Sequence, residues 1–431
     1  MKILKILICL TLAYFGGAIA QRESLDEVMK RMHTCVKSYH KSEFDEANFC
    51  YSRLLPAMGG AMSAMVAKEL ASYGESLLGA GNYLEGWKYR EQRLFLPGYR
   101  ELKKPWDGSC PTGKTILIRL EGGAGDVFLF LRYALILKLI FNARVIVHLE
   151  KMTFLKESIE HCAYYAHNNV LIRYVDKVIT ADDEEPYFDY DVFIMSLPMY
   201  INHDQYAKKF NLATTTLYTI PTLGKYIHGH SAKNAEWKIK LPKDKFKVGI
   251  CWGSGKFLAG VERFLDRDIP LSLLVPLGAN PDVALYSLHT ELPIREKNVT
   301  PDLGVDQLNN IIPNDAPTVY AFAKFDKQTH DFDKINGSFM DTISVIENLD
   351  LVVSVDTACA HLAGAMNGKT WILLPKESDW RWFKGQPQNS LWHPRARLFW
   401  QQQQGDWQSV MDNLIKELNK EVAQWKSSRT I

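Results

Sequence analysis

The chain has 431 residues, of which 47% are hydrophobic and 23% are charged, close to the averages for a folded soluble protein. Lys and Arg number 51 against 49 Asp and Glu, so the charge balance gives no reason to expect a nucleic-acid partner. Because no 18-residue apolar run occurs after the first twenty residues, a polytopic membrane protein is excluded. The composition predicts several soluble domains and is typical of an enzyme that acts on small molecules.

The first twenty residues have the three parts of an export signal. Lys2 and Lys5 supply the positive region, residues 6–15 the apolar region, and Ala18 and Ala20 a small-residue cleavage site. We therefore predict an exported or secretory protein. The nearer alternative is a short uncleaved anchor, which would allow membrane association through the N-terminus only. A buried N-terminal helix in a cytoplasmic protein is the other alternative.

The cysteines give a second indication of compartment. Cys35 and Cys50 lie fifteen residues apart in a helical region and could pair in an oxidising compartment. Cys251 and Cys359 lie in apolar contexts, where buried free thiols are expected. The sequence has no CxxC pair and no Cys/His cluster, so neither structural zinc nor any other metal site is predicted.

The segment between the predicted signal and the first predicted strand has the pattern of α-helices. Residues 21–105 predict a small α-helical region, in which Phe44–Ala47 and Tyr83–Gly86 begin similar segments 39 residues apart. Each segment resembles the second helix of a tetratricopeptide hairpin. Two units are too few for a free-standing array, so we expect this region to pack on the remainder of the protein.

From Thr115 onward, short apolar runs alternate with helical stretches. Such alternation predicts parallel sheets that are covered by helices on both faces, with ligands at the carboxyl ends of the strands. We predict one Rossmann-like domain over 106–240, a second over 241–405 and a C-terminal helix over 406–431. The predicted strands are 115–120, 144–149, 191–195, 247–252, 284–288, 349–355 and 370–374.

The segment EGGAGD, residues 121–126, comes directly after a predicted strand and opens a helix. Gly122, Gly123 and Gly125 allow a tight turn and the close approach of a substrate. Asp126 then lies in the first helical turn, either as an N-terminal capping acid or as a general base that faces the cleft. The segment is neither a dinucleotide fingerprint nor a P-loop, so no nucleotide cofactor is predicted.

A second strand-to-helix turn has the sequence SVDTACAH, residues 354–361. Asp356 and Thr357 cap a helix whose first turn has small residues, so a diphosphate can approach its backbone N–H groups. His361, one turn further, is either a donor to phosphate or sugar or a structural histidine. Such a site needs no metal ion to neutralise a leaving diphosphate.

A third glycine-rich turn, residues 251–256, precedes further basic residues. Lys256 and Arg267 are candidates for binding phosphate, and the alternative for both is a solvated loop charge. Asp189 and Asp191, like Asp331 and Asp333, have the DxD form that metal-dependent sugar transferases use. We interpret both pairs as surface features.

In their joint order, these segments resemble the bacterial tetratricopeptide-linked glycosyltransferases related to family nine, the heptosyltransferase-like group. The resemblance extends from about Tyr83 to Trp407. The segments that carry it are 81–94, 121–126 with Arg132 and Tyr133, 195–198, 248–255, 266–271, 286–289, 341–375, 379–382, 397–401 and 405–407. The loop after Trp252 departs from the family pattern, and His289 stands where the family commonly has Gln.

The resemblance implies an α/β, GT-B type fold, in which two Rossmann-like domains face a cleft behind a small tetratricopeptide-like region. It implies an inverting, metal-independent glycosyltransferase that uses a nucleotide-sugar as substrate and needs no cofactor. The acceptor would be a glycan, a lipid-linked sugar or a protein. Asp126 matches the proposed base, and the implied donor-binding residues are Lys256, Arg267, Ser287, Asp356, Thr357 and His361. The alternative function is a catalytically degenerate binding module for a glycan or protein.

Overall fold

The computed structural model describes only part of the chain. The described residues are 34–35, 37–38, 64–167, 170–201, 220, 223–241, 243–253, 267–289, 319–321, 339–383 and 388–429. The predicted signal, Cys50, Lys256 and the pair Asp331 and Asp333 lie outside them. Within the described ranges, no helix has the length and apolar character required to cross a membrane.

The chain divides into two compact units. The first comprises Met1–Glu101, Thr215–Tyr218 and Glu377–Gly385, and the second comprises Leu102–Thr214, Thr219–Lys376 and Gln386–Ile431. The boundaries predicted at residues 105, 240 and 405 remain predictions.

The first unit is built on a helical hairpin and an aromatic segment. Helix α1 (Ala64–Gly79) and helix α2 (Tyr83–Arg90) precede a 3-10 turn at Glu91–Phe95. The helices pack very closely, since a Cβ added at Gly74 would lie 2.4 Å from the backbone nitrogen of Arg90. Trp87 packs edge-on against Trp380 of the 377–385 segment, with 5.6 Å between ring centroids. Helix formation here is confirmed, whereas the tetratricopeptide character remains a prediction.

The second unit contains two parallel sheets, which confirms the predicted fold class. The elements of the first half are β1 (Thr115–Arg119), α3 (Ala124–Phe141), β2 (Arg144–His148), α4 (Lys156–Cys162), β3 (Tyr164–His167), β4 (Val170–Arg173), β5 (Lys177–Ile179), β6 (Tyr190–Phe193) and α5 (Leu197–Tyr200). The first sheet has the parallel order β5-β2-β1-β6. Strands β3 and β4 form a separate antiparallel pair.

The second half of this unit has the longer sheet. Its elements are α6 (Ser231–Lys240), β7 (Phe246–Cys251), α7 (Leu271–Leu274), β8 (Val283–Ser287), β9 (Val319–Ala321), α8 (Met340–Glu347), β10 (Leu351–Val355), α9 (Ala358–Ala365), β11 (Thr370–Leu374), β12 (Ala396–Trp400) and α10 (Trp407–Ser427). The sheet is parallel throughout, in the order β12-β11-β10-β7-β8-β9. Counted along the chain, this is the 3-2-1-4-5-6 order of Rossmann domains.

The cores explain why the strands were recognisable in the sequence. Strands that are buried on both faces are continuous apolar runs, and every residue of β10 and of β11 is buried. Helix α10 instead buries one stripe of side chains against the second sheet, as an amphipathic surface helix does. That stripe consists of Trp407, Val410, Met411, Leu414, Leu418 and Val422.

One sequence interpretation is wrong. Asp191 is not a surface residue but is fully buried in β6. Its carboxylate accepts hydrogen bonds from the backbone N–H groups of Lys103 (3.1 Å) and Lys104 (2.8 Å) and from Nε of the buried Arg119 (3.0 Å). A buried carboxylate requires such partners, and this one fixes the segment that enters the first sheet. Asp189 is half-buried, and its carboxylate accepts from the backbone N–H of Thr115 at 2.8 Å.

Candidate active site

Each parallel sheet has one point where the strand order reverses, and the two strand-to-helix turns singled out in the sequence lie at these points. In the first sheet, β1 lies beside β6, and the glycine turn comes after β1. In the second sheet, β7 lies beside β10, and the turn at Asp356 comes after β10. Open parallel sheets bind ligands in the crevice at this position. The topology therefore assigns the candidate site to these turns.

The glycine turn requires glycine at its first position. Gly122 has a φ of +76°, and a Cβ there would lie 2.6 Å from Oδ2 of Asp126. Asp126 Oδ2 accepts a hydrogen bond from the backbone N–H of Gly123 at 2.8 Å, so the capping interaction is present. A carboxylate has further acceptor sites, and Asp126 is only half-buried. Capping is therefore compatible with the general-base role, which remains a prediction.

Glu121 connects this turn to the neighbouring strand. Its side chain is buried, and Oε1 accepts a hydrogen bond from the backbone N–H of Met195 at 3.1 Å. Both residues belong to segments that carried the family resemblance, but the sequence alone gave no sign that they touch. The contact holds the turns after β1 and β6 together.

The turn after β10 has its own internal contacts. Thr357 is the N-terminal residue before α9, but its side chain makes no capping hydrogen bond. Its hydroxyl instead lies 3.0 Å from Oγ of Ser354 and 3.3 Å from Sγ of Cys251. Ala358, the first residue of α9, is half-exposed and small. This helix start therefore keeps the features expected of a site for a phosphate group.

Charged and polar side chains surround the start of α9. The Asp356 carboxylate lies between the side chain of Arg267, which precedes α7, and the imidazole of His361 in α9. Arg267 Nη1 is 3.9 Å from its Oδ2, and His361 Nε2 is 3.6 Å from its Oδ1. Three of the predicted donor-side residues are thus brought together. Lys256 lies outside the described residues.

Ser287 has a different environment. It is the last residue of β8, is 1% exposed, and its hydroxyl accepts a hydrogen bond from the backbone N–H of His289 at 3.2 Å. His289 Nε2 in turn accepts from the backbone N–H of Trp252 at 3.1 Å. The hydroxyl thus supports the turn after β8, and its donor-binding role remains a prediction.

His361 has a buried partner that the sequence reasoning missed. Its Nδ1 lies 3.2 Å from Nε2 of His393, which is 1% exposed. Burial, together with the nearby Arg132 guanidinium, lowers the pKa of His393 well below its ordinary value, so His393 is neutral at pH 7. The close packing requires Gly364, since a Cβ there would lie 2.2 Å from the His393 ring. This neutral partner fixes the orientation of the His361 ring.

A buried arginine ties the two halves of this unit together. Arg132 on α3 donates from Nη1 to the carbonyl of Trp392 at 2.8 Å and from Nη2 to the hydroxyl of Tyr226 at 3.0 Å. Tyr226 also donates through its hydroxyl to the carbonyl of Phe128 at 2.9 Å and through its backbone N–H to the carbonyl of Ala365 at 2.9 Å. We call Arg132, Tyr226 and Trp392 the brace. Of these three residues, only Arg132 belongs to a segment that carried the family resemblance.

The two helix starts meet directly. A Cβ added at Gly125 in α3 would lie 3.1 Å from Cδ2 of His361 and 3.3 Å from Cα of Ala358. Asp126 is the next residue along the chain. The predicted acceptor-side carboxylate therefore lies beside the predicted phosphate-binding turn, and glycine at position 125 permits this proximity.

A possible metal-ligand cluster lies on another element. On α4, the ligand atoms of Glu157, Glu160 and His161 lie within 4.8 Å of one another. None of the residues predicted for the site belongs to this cluster. The sequence-based expectation that the site needs no metal is not tested by it.

No family model and no curated protein matches the chain. Among solved structures, it is similar to a family 9 glycosyltransferase from Veillonella parvula, with 10% identity and a TM-score of 0.46 over 73% of this chain and 99% of that one. It is also similar to the E. coli ADP-heptose LPS heptosyltransferase II, with 12% identity and a TM-score of 0.45 over 72% and 99%. A third is the iron-containing dodecameric glycosyltransferase TibC from enterotoxigenic E. coli, with 8% identity and a TM-score of 0.38 over 72% and 77%.

These proteins are members of the glycosyltransferase group that the sequence motifs resemble. The chain's own strand orders define a two-sheet, Rossmann-type protein with a candidate site where the two helix starts meet.

Proposed function

We propose that this protein is an inverting glycosyltransferase that moves a sugar from a nucleotide-sugar to a hydroxyl acceptor. The observation that carries the proposal is the contact between the start of α3, with its carboxylate at Asp126, and the start of α9, with its small first residue. Sugar transfer from a nucleoside diphosphate needs a base and a diphosphate site at adjacent positions. The proximity of a carboxylate in one turn to a helix N-terminus with a small first residue in the other supports this proposal.

In the proposed reaction, the acceptor hydroxyl lies beside Asp126. The carboxylate takes the hydroxyl proton as the acceptor oxygen forms its bond to the anomeric carbon. The bond between that carbon and the diphosphate oxygen breaks, and the nucleoside diphosphate leaves with the electron pair. A single displacement of this kind inverts the configuration at the anomeric carbon.

The leaving group needs positive charge. The N-terminus of α9 provides partial positive charge, and the Arg267 guanidinium provides a full charge 3.9 Å from Asp356. With these groups in place we propose a metal-independent reaction. The test is turnover after exhaustive treatment with EDTA, which should leave the rate unchanged. A rate that falls and recovers on adding one metal ion would overturn this part of the proposal.

Nucleotide binding tests the function itself. Thermal-shift measurements with ADP, UDP and GDP, and with their sugar conjugates, should show stabilisation by at least one nucleoside diphosphate. The sugar conjugates in the panel include ADP-heptose, the compound in the name of the similar E. coli heptosyltransferase II. Binding of a glycan or protein with no stabilisation by any nucleotide would favour the degenerate binding module.

Replacing Arg267 by Ala should weaken binding of the nucleoside diphosphate by about 10- to 100-fold, because a hydrogen bond to a charged group contributes about 1.5–3 kcal/mol. Isothermal titration of the stabilising nucleotide measures this effect. Arg267→Lys is the matched control and should retain part of the affinity, since it keeps the charge but loses the planar fork. An Ala variant with wild-type affinity would place the phosphates elsewhere.

We further propose that the protein matures in an oxidising compartment. Two observations support this: the signal-like first twenty residues and the disulfide-bonded state of Cys35. Mass spectrometry of the protein from its native host should find an N-terminus near Gln21. An intact Met1 peptide in a soluble cytosolic fraction would contradict the proposal.

A further inference from the structure

Two cysteines from different elements meet beneath the turn at Asp356 and Thr357. Cys251 is the last residue of β7, and Cys359 is the second residue of α9. Both are free thiols with buried side chains, and they hydrogen-bond to each other. Sγ of Cys251 also lies 3.3 Å from the Thr357 hydroxyl. The pair therefore joins the central strand of the second sheet to the helix start where the diphosphate site is proposed.

The surroundings favour the ionised form of one thiol. The hydrogen bond from Cys359 lowers the pKa of the Cys251 thiol well below its ordinary value, and the His289 imidazole and the Thr357 hydroxyl add to the effect against the opposing effect of burial. A thiolate is the form that reacts with oxidants. The neighbouring residues Asp356, Thr357 and Ala358 are only half-buried, so a small oxidant can approach along this turn.

A metal site is the competing explanation for two adjacent thiols and an imidazole. Such a site needs three ligand atoms that converge. Across the described residues, only the Glu157, Glu160 and His161 cluster meets that condition, and Cys251, Cys359 and His289 do not. The arrangement fits a pair of reacting sulfurs better than a set of metal ligands.

We propose that Cys251 and Cys359 form a redox-active dithiol whose oxidation by a small peroxide to a disulfide switches off nucleotide binding at the start of α9. The switch rests on the proposed function, whereas the dithiol itself does not. Cys251 and Cys359 would then form a modification site, and neither side chain has a role in the proposed transfer reaction.

The chemistry balances with hydrogen peroxide as oxidant. The Cys251 thiolate attacks one peroxide oxygen, the O–O bond breaks, and hydroxide leaves and takes up the proton that Cys251 released. Cys359 then attacks the sulfur of the resulting sulfenic acid, the S–O bond breaks, and water leaves with the Cys359 proton. Overall, two thiols and one peroxide give one disulfide and two waters.

Oxidation changes the site because a covalent S–S bond is about 2.05 Å long, much shorter than a contact between two hydrogen-bonded thiols. Forming it draws the first turn of α9 toward β7 and displaces the Thr357 hydroxyl from its contact with Cys251. The backbone N–H groups of that turn then lose their alignment with the diphosphate.

The experiment uses the full chain. Protein is treated with increasing hydrogen peroxide, its remaining thiols are alkylated after unfolding, and the peptides are identified by mass spectrometry. We expect Cys251 and Cys359 to lose alkylation together, to appear as one cross-linked peptide pair, and to recover with dithiothreitol. Cys162, a buried thiol 3.7 Å from Sδ of Met340, is the internal reference and should stay reduced.

Nucleotide affinity is measured on the same samples, with the nucleoside diphosphate that stabilises the reduced protein. Oxidation should weaken binding about 10-fold or more, as expected when a hydrogen bond to a charged group is lost. Reduction should restore it. Cys359→Ser should abolish both the cross-link and this reversible loss, and Cys162→Ala should behave as wild type in both measurements.

Three outcomes overturn the proposal or part of it. If Cys251 and Cys359 stay reduced at peroxide concentrations that oxidise the exposed Cys110, the two residues are not a redox-active dithiol. If the disulfide forms but nucleotide affinity is unchanged, oxidation does not control nucleotide binding. If the reduced protein binds no nucleotide, the proposed function and the switch both fail, while the cross-linked peptide still decides the dithiol.

Discussion

An Asp126→Asn variant should fold and bind nucleotide like the wild type but turn over about 10²–10⁴-fold more slowly, the usual contribution of a general base. The amide oxygen of Asn can still accept the hydrogen bond that Gly123 donates to Asp126 Oδ2, so the helix start should lose little stability. The amide cannot take the proton of the acceptor hydroxyl. Steady-state turnover and nucleotide titration on the same preparation separate the two effects.

The controls for Asp126 distinguish its possible roles. Asp126→Ala removes both the cap and the base, so its additional loss of thermal stability over Asp126→Asn measures the capping interaction. Wild-type turnover in the Asn variant would reduce Asp126 to a capping residue. Loss of nucleotide binding together with turnover would mean that the donor and acceptor sides have been assigned the wrong way round.

The second large effect is expected at Gly125. A Leu side chain there cannot fit, because even a Cβ would lie 3.1 Å from His361 and 3.3 Å from Ala358. The starts of α3 and α9 must then separate. Since a misplacement of about 1 Å can cost 10²-fold in rate, kcat/KM should fall by about that factor. Gly125→Ala should give a much smaller loss, because its neighbours need shift by only a few tenths of an ångström.

Gly123→Ala is the matched control for Gly125. Its added Cβ would meet only Oδ2 of Asp126, at 3.7 Å, so any loss of kcat/KM should be smaller than in Gly125→Ala even though Gly123 belongs to the same turn. Full activity in the Gly125→Leu variant would contradict a site between the two turns. Circular dichroism and a melting curve for each variant show whether a loss of activity comes from unfolding.

Much of the fold could be predicted because the strands are short, buried and apolar. The run 370–374 coincides with β11, and the run 247–252 differs from β7 by one residue at each end. The EGGAGD segment marked the start of α3, and Asp356 with Thr357 marked the start of α9. Glycine and small polar residues at a strand end are local signals, so the sequence carries them directly.

The rest depends on contacts between distant parts of the chain. His361 and His393 are 32 residues apart, and Arg132 and Trp392 are 260 apart. No local pattern indicates that such residues touch. Asp191 was misinterpreted for the same reason, because its partners Lys103 and Lys104 lie 88 and 87 residues away. A local DxD pattern cannot reveal that a carboxylate is buried against remote backbone N–H groups.

The brace also determines how the second unit responds to heat and to substrate. Unfolding of either half separates the buried Arg132 guanidinium from its acceptors, which is costly, so we expect the two sheets to unfold together. Calorimetry should therefore record one endotherm for both sheets rather than two. Because the same hydrogen bonds join the two halves of this unit, we expect the spacing between the starts of α3 and α9 to stay the same when nucleotide binds. Nucleotide binding should then cost little conformational free energy, because the site is already arranged before the ligand enters.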